Sequence, residues 1–420
     1  MKRKWFIAPA LLILTSLFLS ACSGLIRLED EAITGEFGPA ASAQEQQLRT
    51  FDMMWKNIQD TYIYYEDSNL NWDGLYEENA SRINSGLTQK EFISLMNDLE
   101  TEFPAGGLIY QTRAERVESD IAEAATYDGI GAFIGFQEEK KPHIVILAVI
   151  EGSPAAEAGL KAHDSIFSID GNPILLEEGL GAVSRIRGLA GSSVTLDVQS
   201  PGEQQRSVEV TRAKLTTTGK LNAHHVPDTD YGYILFPPIA YQGLDQDVLL
   251  AIQTLSNERE LKGLILDLRI VNASQGWPLD TLFTLFHDGS IGELYNRNQA
   301  QPLTVTGQDI DGSQSLPLAI LVGKNTGGFA EVFAASLQAY ERAVVIGEQT
   351  PGDVETQSVF YLPDGSRFFI DSTSFRLSNG DEIGNNGITP DIAVEAGWDE
   401  ILPNHDPVLD RAVEVLENAK

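Results

Sequence analysis

The sequence predicts a multidomain α/β protein in which a helical region, a β-rich module and a layered α/β core follow one another along 420 residues. Three patterns predict this order. Apolar residues first recur at steps of three and four, which is helical spacing: Leu48, Phe51, Trp55, Ile58 and Tyr62. Short strand-like runs separated by glycine turns follow from Tyr127. After Tyr231, strand-like and helix-like segments alternate, which is typical of a sheet covered by helices.

The composition is that of an ordinary globular protein, with 42% hydrophobic and 21% charged residues. The charge is strongly acidic, because 61 Asp and Glu outnumber 29 Lys and Arg and give a net charge of −32. Such a surface repels phosphate backbones, so we expect no nucleic-acid partner. The simplest interpretation of this charge is that electrostatic repulsion between molecules keeps the protein in solution. Nothing in the sequence indicates an oligomeric state.

The amino terminus predicts a lipoprotein signal peptide over residues 1–22. Three basic residues follow Met1, and an apolar run from Trp5 to Leu19 is 15 residues long, short of the roughly 20 that span a bilayer. The next residues, Leu19-Ser20-Ala21-Cys22, resemble a bacterial lipobox. We therefore expect Cys22 to be lipidated and to anchor the protein to an extracytoplasmic membrane face, inner or outer. The alternatives are an ordinary signal peptide with a chance cysteine, or an uncleaved anchor.

A polar stretch over residues 23–46 lacks periodicity and is predicted to be a flexible tether. A helical cap region is predicted over residues 47–126. Thr88 is a plausible N-cap for a second helix there, because Glu91 stands three residues later as in a capping box.

Residues 127–215 are predicted to form the β-rich module. A strand over residues 143–150 precedes Gly152-Ser153-Pro154-Ala155-Ala156-Glu157-Ala158-Gly159-Leu160, in which Pro154 opens a short helix and Gly159 ends it. This segment resembles a PDZ domain of the protease-associated type, although His163 stands where that family usually has Gly. The resemblance implies that a glycine loop binds the terminal carboxylate of a peptide, which adds a strand to the sheet edge. The alternative is that these glycines only turn the chain. The predicted peptide-binding residues are Gly129, Ile130, Gly131, Ala132, Phe133 and Ile134.

Residues 216–420 are predicted to form the α/β core. Strands are predicted over 231–236, 261–269, 317–322 and 343–347, helices over 245–258, 278–287 and 328–342, and a hairpin around Asp364-Gly365. The segment from Leu321 to Gln357 closely resembles the signature of the carboxyl-terminal processing (tail-specific) serine proteases. Leu264 to Arg269 and Gly387 to Asp391 match two further segments of that family. The resemblance implies a tail-specific protease or crotonase-like core.

The same resemblance implies that the catalytic residues are missing. The family has a Ser nucleophile and a Lys base, and an alignment anchored on Glu331 and Thr350 puts Gly328 and Asp353 at those positions. A second family Ser falls on Ala330, and Gln357 is retained where the family orients its Lys. A Ser–Lys pair needs a hydroxyl and a desolvated amine. Losing the nucleophile of a serine hydrolase costs on the order of 10⁶ in rate.

The family's oxyanion loop is altered as well. The family shows Asn-x-Gly-Gly after its core strand, whereas residues 270–276 retain only Asn272 and Gly276. Three hydroxyls near these segments are candidates for a displaced nucleophile: Thr326, Ser336 and Ser274. Each is expected instead to be a cap, turn or helix-surface hydroxyl.

No metal or cofactor site is predicted. His224 and His225 are adjacent and would point to opposite faces of a strand, and no phosphate-binding loop occurs. Glu331, Asp353 and Glu355 could converge in the cleft and attract a cation, but a solvated acidic patch is the expectation in so acidic a chain.

These observations predict a lipid-anchored relative of the tail-specific proteases that is non-catalytic and binds peptides or protein C-terminal tails through its PDZ domain. One alternative is an active serine-type peptidase with a displaced nucleophile. Another is a hydrophobic-ligand-binding or structural protein.

Overall fold

The computed structural model describes residues 41–419 apart from 105, 125–127, 139–140, 216–219, 274–275, 385 and 403. The predicted signal peptide, Cys22 and most of the predicted tether lie outside the described residues. Within the described part of the chain, no helix is both long and apolar enough to cross a membrane.

The cap begins earlier than the sequence predicted. Its first helix starts at Ala43, inside the stretch assigned to the tether, because Ser42 and Glu45 form a capping box. The predicted capping box of Thr88 and Glu91 is present at the third helix. The described cap helices are Ala43–Thr61, Trp72–Asn84, Gln89–Asp98 and Arg113–Ala124, with a 3₁₀ turn at Leu99–Glu102. Aromatic residues of these helices form one buried cluster with Phe368 and Ile370 of the core.

The predicted cap region also contributes a strand, which the helical prediction did not include. Leu108–Gln111 pairs antiparallel with Arg367–Arg376, so the cap and the core share a sheet. The same long strand pairs on its other edge with Thr356–Tyr361 through the predicted hairpin. The hairpin Gly289–Tyr295 and Ala300–Val305 completes this five-stranded sheet.

The β-rich module has the predicted PDZ-like organisation. Its sheet runs in the order Ala132–Gln137, His143–Val149, Ser165–Ile169, Ser193–Gln199 and Arg206–Thr211, and the short strand Asn172–Pro173 joins Ser165–Ile169. Two further short strands, Asp128–Gly129 and Ala213–Lys214, pair at the base of the module. The helical pieces are Pro154–Glu157, Leu176–Ala182 and Val183–Ile186. Pro154 opens the first of these, as the sequence predicted, and Ser153 caps it.

The core contains a six-stranded sheet whose last five strands are parallel. Its order is Asn222–His225, Tyr231–Leu235, Gly263–Asp267, Leu318–Val322, Val344–Gly347 and Ile392–Ala393. Helices Leu244–Glu258, Leu279–Phe286 and Phe329–Ala339 pack on one face. Helix Pro407–Asn418 packs on the other face, after a 3₁₀ turn at Trp398–Glu400. Because side chains alternate along a strand, these two faces bury alternate residues such as Leu264 and Ile265.

One small parallel pair positions the site. Asn272–Ala273, in the altered loop, pairs with Gly327–Gly328 at the start of helix Phe329–Ala339. Two segments more than fifty residues apart therefore meet at the predicted nucleophile position.

Candidate functional site

The three catalytic positions inferred by resemblance line one cleft. This Gly328 cleft has a volume of about 1250 Å³ and lies between the cap, the core helix Phe329–Ala339 and the five-stranded sheet. Its lining consists of residues 351–357 together with Pro104, Gly106, Ile109, Ala273, Gly328, Phe329, Val359, Phe369 and Asp371. Gly328, Asp353 and Gln357 are all among them, so the alignment anchored on Glu331 and Thr350 selects residues that are close in space.

Gly328 occupies a tight turn between a strand and a helix. It is the residue before helix Phe329–Ala339 and has φ 62° and ψ −134°, a conformation that an L-residue adopts only with strain. Strained strand-to-helix turns of this kind present the nucleophile in some serine hydrolases. The backbone here has such a turn, but glycine has no side chain to present.

The space for a side chain at position 328 is already filled. A Cβ built on Gly328 would lie 2.0 Å from the carbonyl oxygen of Ala273 and 3.0 Å from its carbonyl carbon. The obstacle is backbone, fixed by the pairing of Asn272–Ala273 with Gly327–Gly328. The altered loop and the missing side chain are thus one structural feature, because the loop lies where a serine Cβ would have to be.

The Asp353 segment is held in place by a buried carboxylate. Glu331 is fully buried in the first turn of its helix. It accepts hydrogen bonds from the N–H groups of Gly352 at 2.7 Å and Asp353 at 2.9 Å, and from the hydroxyl of Thr350. Burial raises the pKa of Glu331 to about 7, although these hydrogen bonds oppose the rise. The two alignment anchors, Glu331 and Thr350, are therefore in direct contact.

Gln357 is bonded to groups other than a base. Its Nε2 donates to the carbonyl oxygen of Gly106 at 2.6 Å and to Oδ1 of Asp371 at 3.0 Å. Asp353 itself is exposed at the cleft. The side chains at these two positions therefore supply a carboxylate and an amide, and no amine that could accept a proton.

Sequence reasoning missed Asp371 and the hydrogen bond that Glu355 accepts from the cap. Asp371 lines it, and burial, together with the nearby charges of Glu355 and Asp353, raises the pKa of Asp371 to about 6 against the opposing hydrogen bond from Gln357. Glu355 accepts a hydrogen bond from the hydroxyl of Tyr64, in the cap. No local motif marks Asp371. Asp371 lies two residues after Phe369 in a strand, so the two side chains share a face. This spacing identifies Asp371 as a cleft residue only when the pairing of the hairpin is known.

The acidic residues singled out in the sequence converge only in part. Asp353 and Glu355 line the cleft, whereas Glu331 lies beneath it with both carboxylate oxygens hydrogen-bonded. Among the described residues, no group of three or more His, Cys, Asp and Glu side chains is arranged to hold a metal ion.

Two candidate displaced nucleophiles are structural hydroxyls. Thr326 is fully buried, accepts from the N–H of Gly323 and donates to the carbonyl of Leu268, both at 2.9 Å. Ser336 is fully buried and donates to the carbonyl of Ile291 at 3.1 Å. Neither lines the Gly328 cleft. Ser274 lies outside the described residues.

The strand before the altered loop leads into a buried ion network. Arg269 is paired with Asp267, with a shortest contact of 2.6 Å, and makes two hydrogen bonds to Asp406 at 2.6 and 3.0 Å. Asp406 in turn caps helix Pro407–Asn418. Arg269 also lies over the ring of Trp398, 5.1 Å from its centroid. This network ties the C-terminal helix to the strand that leads into the cleft.

The predicted peptide-binding loop of the PDZ-like module turns its carbonyls inward. The carbonyl of Ile130 accepts from Ala155 N–H at 2.8 Å, and that of Gly131 accepts from Ile150 N–H at 2.9 Å. The N–H and C=O groups of a trans peptide bond point in opposite directions. The N–H groups of Gly131 and Ala132 therefore point away from Ala155 and Ile150, which bind the two carbonyls. Gly131 has φ 82°, which favours glycine.

The other predicted residues of this loop lie close by but divide between two environments. Gly129 pairs with Ala213, and Ile130 is buried in the module's own core. Ile134 packs against that same core, whereas Phe133 packs against the cluster that joins the module to Trp398. Phe133 is therefore a docking residue of the module as well as part of the edge strand.

The position of His163 explains an apparent departure from the PDZ pattern. Its φ of 75° is one that glycine adopts easily. In this chain its Nδ1 lies 2.7 Å from the carbonyl oxygen of Trp398, and the two rings are in contact. The histidine therefore helps to dock the module on the core.

A cap and an α/β core that line a cleft of this kind, with a PDZ-like module docked on the core, define a serine-peptidase type of fold. Residues 230–394 match Peptidase family S41, residues 145–200 match a PDZ domain, and residues 44–99 match the Tricorn protease C1 domain. The chain belongs to the carboxyl-terminal processing protease family with a PDZ domain, which confirms the resemblance found in the sequence.

Named relatives span most of the chain. It is 28% identical over 374 residues to the carboxyl-terminal-processing protease of Synechocystis sp., covering 85% of this chain and 83% of the relative. It is 30% identical over 302 residues to the enzyme of the same name from Picosynechococcus sp., covering 67% and 69%. Among solved structures, the photosystem II D1 C-terminal processing protease aligns with a TM-score of 0.62 at 21% identity, covering 90% of this chain and 98% of that one. This likeness confirms the multidomain α/β fold.

Proposed function

We propose that this family member is non-catalytic and binds the C-terminal tails of peptides or proteins through its PDZ domain. The observation that carries the first part is the contact between position 328 and Ala273. A nucleophile needs a side chain, and the backbone oxygen of Ala273 occupies the space in which that side chain would begin. Asp353 supports the same conclusion, because a carboxylate stands where the family places its amine base.

The PDZ domain supports the second part of the proposal. The N–H groups of Gly131 and Ala132 face away from the residues 150–155 to which the carbonyls of Ile130 and Gly131 are hydrogen-bonded. Strand Ala132–Gln137 is the edge of its sheet in the described chain. A peptide can therefore add a strand at this edge and place its terminal carboxylate at the two N–H groups.

We further propose that the protein is extracytoplasmic and lipid-anchored through Cys22. The basic start, the short apolar run and the Leu-Ser-Ala-Cys sequence support this. Two acyl chains suffice for stable anchoring. Mass spectrometry of membrane-derived protein should find a lipidated Cys22 at the amino terminus, and Cys22→Ser should release or misprocess the protein. An unmodified Cys22 would contradict the proposal.

The absence of catalysis is tested with an unstructured, casein-like substrate. Wild-type protein should cleave it no faster than background. The variants Thr326→Ala, Ser336→Ala and Ser274→Ala serve as controls for a displaced nucleophile. Cleavage by wild type that one of these substitutions abolishes would overturn the proposal and identify the nucleophile.

Tail recognition is tested by comparing peptides that have apolar last residues, either as free acids or amidated. Removal of the terminal charge should weaken binding by about 1.5–3 kcal/mol, the contribution of a charge-assisted hydrogen bond. Gly131→Ala should also weaken binding, because its Cβ would lie 2.3 Å from Cβ of Ser153. Gly152→Ala is the matched control, since Gly152 also has positive φ but open space around it. Equal affinity for both forms of the peptide would refute terminal recognition.

A further inference from the structure

We propose that the Gly328 cleft is a second binding site, separate from the PDZ groove, for an extended peptide segment that carries an apolar side chain and a Lys or Arg side chain two positions apart. This inference goes beyond the proposed tail recognition, which uses the PDZ domain alone. It rests on the two kinds of surface that the five-stranded sheet presents to the cleft.

The first surface is an apolar row across three strands. Ile109 and Val359 are both opposite Phe369 in the strand register, one on each side of it. All three line the cleft, and Ile109 and Val359 are 38% and 42% exposed. Neighbouring side chains across strands form a continuous patch. An apolar side chain that lies on this row removes its exposed area from water.

The second surface is a row of polar side chains one step along the same strands. Asp371 is two residues after Phe369, and Gln357, opposite Asp371, is two residues before Val359. Residues two apart in a strand share a face and lie about 7 Å from each other. The apolar row and the carboxylate of Asp371 are therefore adjacent on the same face and both border the cleft.

The charge of the cleft selects the occupant. Asp353, Glu355 and Asp371 all line it, and among the lining residues that the structure describes none is Lys, Arg or His. Mutual repulsion contributes to the raised pKa of Asp371, since Glu355 and Asp353 both act in that direction after burial. A cationic side chain beside these carboxylates relieves that repulsion. The rest of the molecule repels anionic partners, because the net charge is −32.

The spacing of the two rows favours a peptide over a free cation. An extended peptide also repeats its side chains every two residues at about 7 Å, so one side chain can cover the apolar row while the next on that face reaches Asp371. The described carboxylates do not form a metal-binding group. Lys and Arg side chains also have apolar stems, which pack on apolar surface while their charged ends stay in contact with polar groups or water.

The test uses the full mature chain and fluorescently labelled, C-terminally amidated peptides, because amidation removes the group that the PDZ groove is proposed to bind. A peptide with Leu-Ser-Lys at its centre should bind, and the matching Leu-Ser-Glu and Ser-Ser-Lys peptides should bind at least about tenfold more weakly, the equivalent of 1.4 kcal/mol. Asp371→Asn and Val359→Ser should each weaken binding of the first peptide by about the same factor.

Glu417→Gln is the matched control for charge, because it changes the net charge by the same amount at an exposed site on helix Pro407–Asn418. Equal weakening by Glu417→Gln and Asp371→Asn would show unspecific attraction and overturn the proposal. Failure of the folded protein to bind the amidated Leu-Ser-Lys peptide would also overturn it. Displacement by millimolar calcium beyond that caused by sodium chloride of equal ionic strength would identify a cation site instead. Binding of free-acid peptides is measured separately on the same protein, so failure at one site is distinguishable from failure at the other.

Discussion

The backbone N–H of Gly328 donates a 2.7 Å hydrogen bond to the carbonyl oxygen of Asp353. The two positions that the sequence resemblance assigns to the family's nucleophile and base are therefore joined here through their backbones. Glu331 holds the same segment from below through the N–H groups of Gly352 and Asp353. These backbone and carboxylate contacts fix the relative positions of Gly328, which has no side chain, and Asp353, which carries a carboxylate.

We expect Gly328→Ala to destabilise the fold strongly. The added Cβ meets the carbonyl oxygen of Ala273 at 2.0 Å, and the positive φ adds strain. Strain of about 1–2 kcal/mol and overpacking of about 1–3 kcal/mol together predict a loss of about 2–5 kcal/mol in the free energy of unfolding. Gly380→Ala is the control, because Gly380 has φ 92° with nothing within 4 Å, and should cost only the strain. Urea unfolding measures both, and equal losses would contradict the clash.

Restoring the family residues should not restore proteolysis. In Gly328→Ser/Asp353→Lys, the serine meets the carbonyl of Ala273, and the lysine stands at an exposed position near Glu355 and Asp371. Exposure and neighbouring carboxylates favour the charged ammonium, whereas a base must be neutral. Cleavage of casein by the double variant should equal background. Cleavage that the Asp353→Lys single variant lacks would contradict this prediction.

Glu331 should make the protein less stable as the pH rises. Its pKa is raised from 4.5 to about 7 in the folded state. The folded protein therefore binds an extra proton between these values, and the free energy of unfolding falls as the pH increases through that window, by at most about 3 kcal/mol. Glu331→Gln removes this contribution, while that of Asp371 remains in both proteins. Unfolding at pH 4.5 and 7.5 should show a smaller decrease for the variant. Parallel pH dependences would refute the assignment.

Arg269→Met should be severely destabilising. The substitution removes the guanidinium that pairs with the carboxylates of both Asp267 and Asp406. Asp267 is fully buried. Loss of one partner of a buried ion pair costs about 3–5 kcal/mol, because a charge is left without compensation. Arg259→Met is the matched control, since Arg259 forms an exposed pair with Asp230 and should change stability by at most about 1 kcal/mol. Comparable losses in denaturant unfolding would exclude a special role for the buried network.

Local elements were predictable because their signals are local. The core helix predicted over 245–258 is observed as Leu244–Glu258, and the strand predicted over 143–150 is observed as His143–Val149. Capping residues and apolar periodicity act within a few residues, so they can be recognised in the amino-acid sequence. The first cap helix begins before its predicted boundary because the capping signal at Ser42 lies ahead of the first apolar residue of the periodic run.

Pairings between distant segments were not predictable in the same way. Strand Leu108–Gln111 joins Arg367–Arg376 across more than 250 residues, and four residues carry too weak a pattern to separate a strand from a helix end. The hairpin Gly289–Tyr295 and Ala300–Val305 was missed as well, since its first strand contains two glycines and a register shift. Strands Leu108–Gln111 and Arg367–Arg376 contribute Ile109, Phe369 and Asp371 to the wall of the cleft, so the chemistry of the cleft could not be assigned without their pairing.

The sequence by itself determined the family, the domain order and the absence of a serine and a lysine at positions 328 and 353, because these depend only on which residues stand in which order. Only the tertiary structure decided that Ala273 fills the space beside Gly328 and that Asp371 joins Asp353 and Glu355 in one cleft. Both results depend on strand pairing and register, which are set by contacts between segments far apart in the chain.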